Sequence, residues 1–383
     1  MPALVIAAMI PGVFKFLVDA LRWHAGDHVG PLGDGVFNVW AAGKLVLSGH
    51  VDAVFDHYLP VPTVDGVALR SSPYPPSMLL IAVPFGLFSP AVGVVLYNAL
   101  SVLILAVCLR GQRFGYAFAA AILVCPAALE SLADSQNGAL VAGLLVAGLW
   151  QAERKPWAGG VLLGLVTVKP QLGLLIPFYL LARGNWRAIA GAVFMAICLG
   201  AFSAMAFGLR SWWQFLEITL PFMSSGLVYM TTNPFPGPQA MMMSVFSLVR
   251  EGGGSVGLAY AVQAMSTLAV CCGAFGAGRF VADRELRLAI LLVMISLASP
   301  YLWCYDMIPG SVGVALLIRA GMRRGFYRGE FFLLALLWVT PGMACYLAAL
   351  RLPSFCPPVV AAVLVYAWRH ARAEAAAMLP RAG

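Results

Sequence analysis

The sequence predicts an all-α integral membrane protein that crosses the bilayer about 12 times as one domain, residues 1–383. Composition is the first observation: 61% of the residues are hydrophobic and 10% are charged. In soluble domains about 45–50% of the residues are apolar and about 25% are charged. The second observation is that apolar runs long enough to span a hydrocarbon core of about 30 Å alternate with short polar loops. Together they exclude a water-soluble enzyme, a disordered protein and a secreted disulfide scaffold.

The basic residues predict on which side of the membrane each loop lies. Of the 24 Lys and Arg residues, 16 lie in short loops between apolar runs. They are Arg110, Arg113, Arg154, Lys155, Arg183, Arg187, Arg279, Arg284, Arg287, Arg319, Arg323, Arg324, Arg328, Arg369, Arg372 and Arg381. Because loops rich in Lys and Arg stay in the cytoplasm, we expect these loops and both termini to be cytoplasmic. The net charge of +8 therefore reflects membrane topology, and we expect no nucleic-acid partner.

The predicted spans follow in order along the chain. Segment 3–22 crosses outward, residues 23–77 form the first outer loop, and residues 91–109 return. Residues 76–88 are too short to cross, so we expect them to lie at the membrane surface or dip into it. Five hairpins follow, each with a polar or proline-bearing outer turn: 114–152, 156–182, 188–278, 288–318 and 329–368. The third contains a long outer loop, 209–255.

Hairpin 156–182 is cramped, because about 13 residues per leg rise only about 20 Å. Non-helical backbone at membrane depth is tolerated only where it is buried in protein or lines a water-filled cavity. We therefore expect the turns of such hairpins to meet in an aqueous pocket open to the outside. The alternative is a single tilted helix, which would place Arg183 and Arg187 outside; we favour the hairpin.

The first outer loop contains a predicted amphipathic helix over residues 36–49, which we expect to lie on the outer membrane surface. Its apolar face consists of Phe37, Trp40, Ala41 and Leu47. Gly49 is placed to end the helix. Asp34 precedes the helix, where it is either a helix N-cap or a functional carboxylate.

Polar residues that are costly in a membrane concentrate in three turns, 134–137, 169–171 and 299–306, which we call the three polar turns. Ionisable residues within a membrane are rare, so each one is by default a candidate functional residue. The candidates are Asp134, Gln136, Asn137, Lys169, Gln171, Tyr305 and Asp306. The alternatives are snorkelling to the interface for Lys169, N-capping or an internal ion pair for the two aspartates, and helix–helix contacts for the two amides of turn 134–137.

Tyr74, beside the prolines that precede residue 77, is either a stacking surface for a sugar or prenyl chain or an interfacial anchor. The eight cysteines show no CxxC or metal-ligand spacing. The sequence also has no P-loop and no Rossmann glycine pattern after a strand. We therefore expect neither a metal nor a cofactor.

Five motifs in order resemble glycosyltransferase family 87 of the GT-C superfamily, over roughly residues 30–350. They are the acidic residue before Ala41-Ala42-Gly43, then Tyr74-Pro75-Pro76, Gln136-Asn137, Lys169-Pro170-Gln171, and Ser299-Pro300-Tyr301 with Tyr305-Asp306. The superfamily includes polyprenyl-phosphate-mannose-dependent mannosyltransferases of bacterial envelopes. The sequence departs from the family pattern at Gly35, where an aromatic or aliphatic residue is commoner. It departs again at residues 304–306, where many members have a histidine.

The resemblance implies a GT-C-like fold in a bacterial plasma membrane, with the active site facing the periplasm or exterior. The implied reaction moves a hexose, mannose-like, from a polyprenyl-phosphate carrier to a glycolipid or polysaccharide acceptor, with inversion. Asp34 matches the carboxylate that acts as general base. Lys169, with Arg70 or Arg210 as alternatives, would contact the carrier phosphate. The residues expected to contact substrate are Tyr74, Asp134, Gln136, Asn137, Gln171, Tyr305 and Asp306.

Two other classes of function fit the same composition. A transporter or a lipid or glycolipid flippase would also have about 12 spans and broken, polar-turned hairpins. A catalytically silent scaffold of the envelope is the third class. Concentration of the polar residues on the predicted outer side, together with an outer loop of about 50 residues, favours the enzyme.

Overall fold

The computed structural model describes residues 2–24, 36–58, 63–64, 67–68, 72–111, 115–232, 241–350 and 352–378. These residues form a bundle of α-helices with short 3-10 and π-helical segments. The described β structure is one short antiparallel pair, β1 (Thr63–Val64) and β2 (Val67–Ala68), and an isolated bridge between Met242 and Trp303. The predicted all-α class is confirmed for this part of the chain.

The N-terminal part begins with α1 (Pro2–His24) and continues, after the undescribed residues 25–35, into a π-helix (Val36–Ala41). The following helices are α2 (Ala42–Leu47), α3 (Val51–Phe55), α4 (Leu79–Ala82), α5 (Pro90–Gly111), α6 (Tyr116–Leu123), α7 (Pro126–Ala133), α8 (Gly138–Ala152), α9 (Pro156–Leu165), α10 (Ile176–Ala182) and α11 (Trp186–Phe207). Short 3-10 segments flank α4 at Pro76–Met78 and Val83–Leu87, and separate α9 from α10 at Val166–Val168 and Pro170–Gly173.

The C-terminal part continues with α12 (Leu209–Gln214), a π-helix (Phe215–Thr219), α13 (Leu220–Thr232), α14 (Val245–Glu251), α15 (Val256–Phe280), α16 (Arg284–Met294), α17 (Ile308–Arg324), α18 (Glu330–Ala349) and α19 (Cys356–Met378). Two 3-10 segments, Ile295–Leu297 and Cys304–Met307, connect α16 to α17. The predicted long outer loop 209–255 thus contains short helices between the longer α11 and α15.

Three helices among the described residues are long and apolar enough to cross a membrane: α5 over Pro90–Arg110, α11 and α15. The pair α6 and α7 forms a fourth candidate that is bent by 47°. Several other apolar helices are shorter, such as α9, whose 10 residues rise only about 15 Å. The chain is therefore an integral membrane protein with three or four candidate spans, and the predicted 12 crossings are not shown.

Segment 156–182 is a hairpin, as predicted, and the tilted-helix alternative is wrong. The side-chain amide of Asn185, which follows the hairpin, donates to the carbonyl oxygen of Ala152, which precedes it, at 2.7 Å. Both ends of the segment therefore lie at the same end of the bundle. The short legs leave the turn at Lys169 inside the protein.

Ion pairs join the loops that were predicted to share the cytoplasmic side. Glu153 contacts the guanidinium groups of Arg284 at 3.0 Å and Arg287 at 2.5 Å. The further pairs are Glu285 with Arg319 and Arg323, and Arg324 with Asp283 and Glu374. We call this end of the bundle, formed by residues 153–155, 283–287, 319–328 and 369–374, the basic end. Its helices are held together by charge pairing there.

The helix predicted over residues 36–49 is present as the π-helix and α2, and Gly49 follows it with a positive φ of 82°. Its apolar face does not lie on lipid at Trp40 and Ala41, because both are fully buried in the protein. The indole of Trp40 donates to the carbonyl oxygen of Phe88 at 3.0 Å. Leu47 is exposed, and the side chain of Phe37 lies outside the described part. The face packs on the segment that leads into α5.

We expect Gly160→Ala to destabilise the protein, because a Cβ at this position of α9 would overlap the carbonyl oxygen of Ala188 in α11. Overpacking of this kind costs about 1–3 kcal/mol, which lowers the midpoint of thermal unfolding in detergent. Gly200→Ala is the matched control, since a Cβ there meets nothing within 4 Å. Equal midpoints for the two variants would contradict the close packing of α9 on α11.

Candidate functional site

The three polar turns meet at one buried ion pair. The Nζ of Lys169 lies 2.5 Å from Oδ1 of Asp306 and 2.9 Å from Oδ1 of Asn137. The exposed fraction is 2% for Lys169 and 1% for Asp306. The snorkelling alternative for Lys169 is therefore wrong, and an internal ion pair, one of the alternatives for Asp306, is present.

Aromatic rings surround the ammonium group. Its Nζ lies 5.0 Å from the ring centroid of Tyr305 and 5.7 Å from that of Tyr74, within the range of cation–π attraction. The hydroxyl of Tyr74 donates to Oε1 of Gln136 at 2.7 Å. Because Tyr74 is buried, it is not an interfacial anchor. The segment before α4 is thus tied to turn 134–137 and to Lys169.

Local backbone preferences place these side chains. Lys169 precedes Pro170, and a residue before proline is pushed out of the α region; its φ of −140° and ψ of 73° separate the two 3-10 segments. Ser135 has a φ of 48°, a left-handed conformation that tightens the turn after α7. Asn137 is the N-cap of α8 but makes no side-chain cap hydrogen bond. Its amide is directed to Lys169 instead.

Two buried polar atoms at the ion pair have no hydrogen-bond partner in the described part of the chain: Oδ2 of Asp306 and Nδ2 of Asn137. Leaving such atoms unpaired costs about 1–3 kcal/mol each. One is an acceptor and the other is a donor. A hydroxyl group both donates and accepts, so the pair matches the hydrogen-bonding capacity of a polyhydroxylated ligand.

Asp134 belongs to a second ion pair on the other side of the same turn. Its Oδ1 lies 2.7 Å from Nζ of Lys15 in α1. Glu130, buried one helical turn earlier in α7, lies on the same face of the helix. Glu130 was not among the predicted site residues, although an acidic residue four positions before Asp134 in an apolar run was a usable signal.

Two other predicted site residues, Arg210 and Gln171, make no contact with this cluster that the described residues show. Arg210, whose side chain is 73% exposed, lies 3.3 Å from Oδ1 of Asp52. Gln171 is half-buried and makes no hydrogen bond to the cluster among the described residues. Asp34 and Arg70 lie outside the described residues, so their positions stay predictions. No group of three His, Cys, Asp or Glu residues in the described ranges is arranged to hold a metal ion.

The two outer loops contact each other near Asp52. The hydroxyl of Thr219, in the π-helix before α13, donates to the carbonyl oxygen of Phe55 at 2.8 Å. The rings of His57 and Phe222 stack with centroids 4.0 Å apart and planes 15° apart. The 51–58 segment of the first loop is therefore fixed to the long loop 209–255.

A model of glycosyltransferase family 87 matches residues 73–300, more than half of the 383 residues. The chain belongs to glycosyltransferase family 87. The matched range includes Tyr74, turn 134–137 and Lys169, whereas Asp34 and Asp306 lie outside it. No curated protein and no solved structure gave a match.

Membership in glycosyltransferase family 87 makes the chain a membrane glycosyltransferase. The enzyme prediction is thereby confirmed, and the transporter and scaffold alternatives are set aside. Family membership implies a sugar donor and an acceptor.

We expect single substitutions of the buried pair, Lys169→Met or Asp306→Leu, to destabilise this family 87 enzyme by about 3–5 kcal/mol, because each leaves one buried charge without its partner. The double variant removes both charges and should recover most of that loss. Denaturant titrations in micelles measure the free energy of unfolding.

Arg210→Gln is the control for these variants, since its pair with Asp52 is exposed and contributes at most about 1 kcal/mol. A double variant no more stable than the two singles would show that the ion pair is not the dominant contact of Lys169.

We expect the contact between the outer loops to weaken in mild acid. Burial lowers the pKa of the His57 imidazole from 6.5 to about 4, against the opposing effect of the Asp56 carboxylate. The unfolded chain therefore binds a proton more readily, so this contribution to stability is present above pH 6.5 and is lost as the pH falls towards 4. His57→Phe keeps the ring stacking without titration.

Thermal midpoints at pH 7.5, 5.5 and 4.5 measure this effect, and Asp56→Asn controls for titration of the neighbouring carboxylate. Between pH 7.5 and pH 4.5, the thermal midpoint of the wild type should fall further than that of His57→Phe. Parallel losses would contradict the role of His57.

Proposed function

We propose that this enzyme transfers a hexose, mannose-like, from a polyprenyl-phosphate carrier to a glycolipid or polysaccharide acceptor on the outer face of a bacterial plasma membrane. The observation that carries the proposal is the convergence of the three polar turns at Lys169, Asp306 and Asn137. These turns lie within or beside the range that matches the glycosyltransferase family.

The proposed sugar subsite is the pair of buried atoms without partners, Oδ2 of Asp306 and Nδ2 of Asn137. Sugar hydroxyls would complete their hydrogen bonds, and the ring of Tyr305 nearby supplies a stacking surface. Tyr74 and Gln136 hold turn 134–137 in place through their hydrogen bond. Lys169, whose charge is balanced by Asp306, orients both hydrogen-bonding groups.

The carrier phosphate gains negative charge as it leaves the sugar in the transition state, and an exposed cation beside it stabilises that charge. Arg210 meets this requirement better than Lys169, because its guanidinium is exposed and its contact with Asp52 is long for an ion pair. Arg70 is the remaining candidate by charge and position in the first outer loop. Phosphate contact by Lys169 would require Asp306 to release it.

Inverting transfer needs one carboxylate that removes the proton of the acceptor hydroxyl as its oxygen attacks the anomeric carbon. Asp34 is the proposed base. It directly precedes the π-helix whose Trp40 is buried against the segment between Tyr74 and α5. The same segment contacts turns 134–137 and 169–171 through Tyr74, which supports placing the base beside the sugar subsite.

We expect Asp34→Asn to reduce sugar transfer at least about 100-fold, the smaller end of the contribution made by a general base. Purified protein in lipid with radiolabelled polyprenyl-phosphate sugars and a membrane-lipid extract measures transfer. Asp56→Asn is the matched control, because this aspartate lies in the same loop and bonds the backbone of Tyr58.

Both variants must keep the thermal midpoint of the wild type. Full activity of Asp34→Asn would overturn the base assignment, and Asp134 or Asp306 would then be tested. Failure of the wild type to use any polyprenyl-phosphate sugar would overturn the proposed donor.

A further inference from the structure

A cavity of about 470 Å³ opens at the basic end, at the opposite end of α17 from the 3-10 segment that carries Asp306. It lies between the last residue of α17, Arg324, the loop that follows, and the last turns of α19. Neither the sugar-transfer proposal nor the family assignment uses it.

A buried hydrogen-bonded pair fixes one wall of this cavity, which includes Tyr327 and His370. His370 Nε2 lies 2.9 Å from Oε1 of Glu330, and both residues are buried. The backbone N–H of Tyr327 donates to the other carboxylate oxygen of Glu330 at 2.9 Å. The rings of Tyr327 and His370 are 4.7 Å apart. The cavity therefore has a fixed aromatic wall.

One acceptor in the lining and one cation beside the cavity are available. Arg324 is shared between Asp283 at 2.8 Å and Oε1 of Glu374 at 3.4 Å. The other oxygen of Glu374, Oε2, is buried and has no hydrogen-bond partner in the described ranges. Arg369 is not a lining residue, but its guanidinium lies over the ring of Tyr327, which lines the cavity, and over that of Tyr366. It makes no ion pair within the same ranges.

The surroundings of the cavity are apolar on one side and basic on the other. Exposed apolar side chains lie close in sequence to the lining residues: Met322, Phe326, Phe331, Phe332 and Val365. Exposed apolar side chains grouped in this way are suited to contact acyl chains. The basic end also carries more arginines than acids over residues 319–330 and 366–374. An occupant therefore has an apolar part, a negative charge and a hydrogen-bond donor.

We propose that this cavity binds the headgroup of an anionic glycerophospholipid that carries hydroxyl groups, such as phosphatidylglycerol. The phosphodiester contacts Arg369, and a headgroup hydroxyl donates to Oε2 of Glu374. The acyl chains lie along the exposed apolar side chains. Basic pockets between helices at a membrane surface select anionic headgroups in this way.

The test is lipid binding by the purified full-length protein in neutral detergent, counted by native mass spectrometry during titration. The probes are phosphatidylglycerol, phosphatidic acid and phosphatidylcholine, with glycerol 1-phosphate and inorganic phosphate as competitors. The variants are Arg369→Gln and Glu374→Ala. Arg279→Gln is the matched control, since this arginine lies in the last turn of α15 and makes no ion pair within the described ranges.

We expect one phosphatidylglycerol to bind more tightly than phosphatidylcholine and Arg369→Gln to weaken it about five-fold, with Arg279→Gln unchanged. Glu374→Ala should weaken phosphatidylglycerol but not phosphatidic acid, which lacks the headgroup hydroxyls. Equal binding by both arginine variants would overturn the site. Displacement by glycerol 1-phosphate or phosphate as effective as by lipid would overturn the lipid as its occupant.

Discussion

An ammonium group and a carboxylate that lose their water must contact each other, and the Lys169–Asp306 pair is the contact on which the arrangement of the turns depends. Burial of either charge alone is far more costly than burial of the pair. The two residues are 137 positions apart, so their pairing fixes hairpin 156–182 against hairpin 288–318. Asn137 adds the third turn through the same ammonium group.

Sequence reasoning predicted the elements that local rules determine. The basic loops identified the hairpins, because Lys and Arg mark one side of a membrane. Pro170 and the short legs predicted that Lys169 would lie in a turn. The candidate residues Tyr74, Gln136, Asn137 and Asp306 came from the cost of polar groups at membrane depth. Their convergence was expected only as turns meeting in a shared pocket.

Sequence reasoning did not predict which residues pair, because pairing depends on how helices pack. The sequence shows no partner for Lys169. Asp134 was grouped with Lys169 as a site residue, although Asp134 pairs with Lys15. The apolar face at Trp40 was visible, but periodicity does not say whether lipid or protein covers a face. The buried Glu374 oxygen and the cavity beside it also arise only when separate helices meet.

The basic end has a mechanical consequence for the opposite end of the bundle. Ion pairs from Glu153 and Glu285 hold α8, α16 and α17 at that end. A helix of 10 residues such as α9 is about 15 Å long, so a rotation of about 5° around its fixed end moves its other end by about 1.3 Å. That displacement is enough to break the hydrogen bond between Lys169 and Asn137 while the ion pairs of the basic end persist. A tilt of this size would therefore separate the Lys169 turn from Asn137 without any unfolding of the bundle.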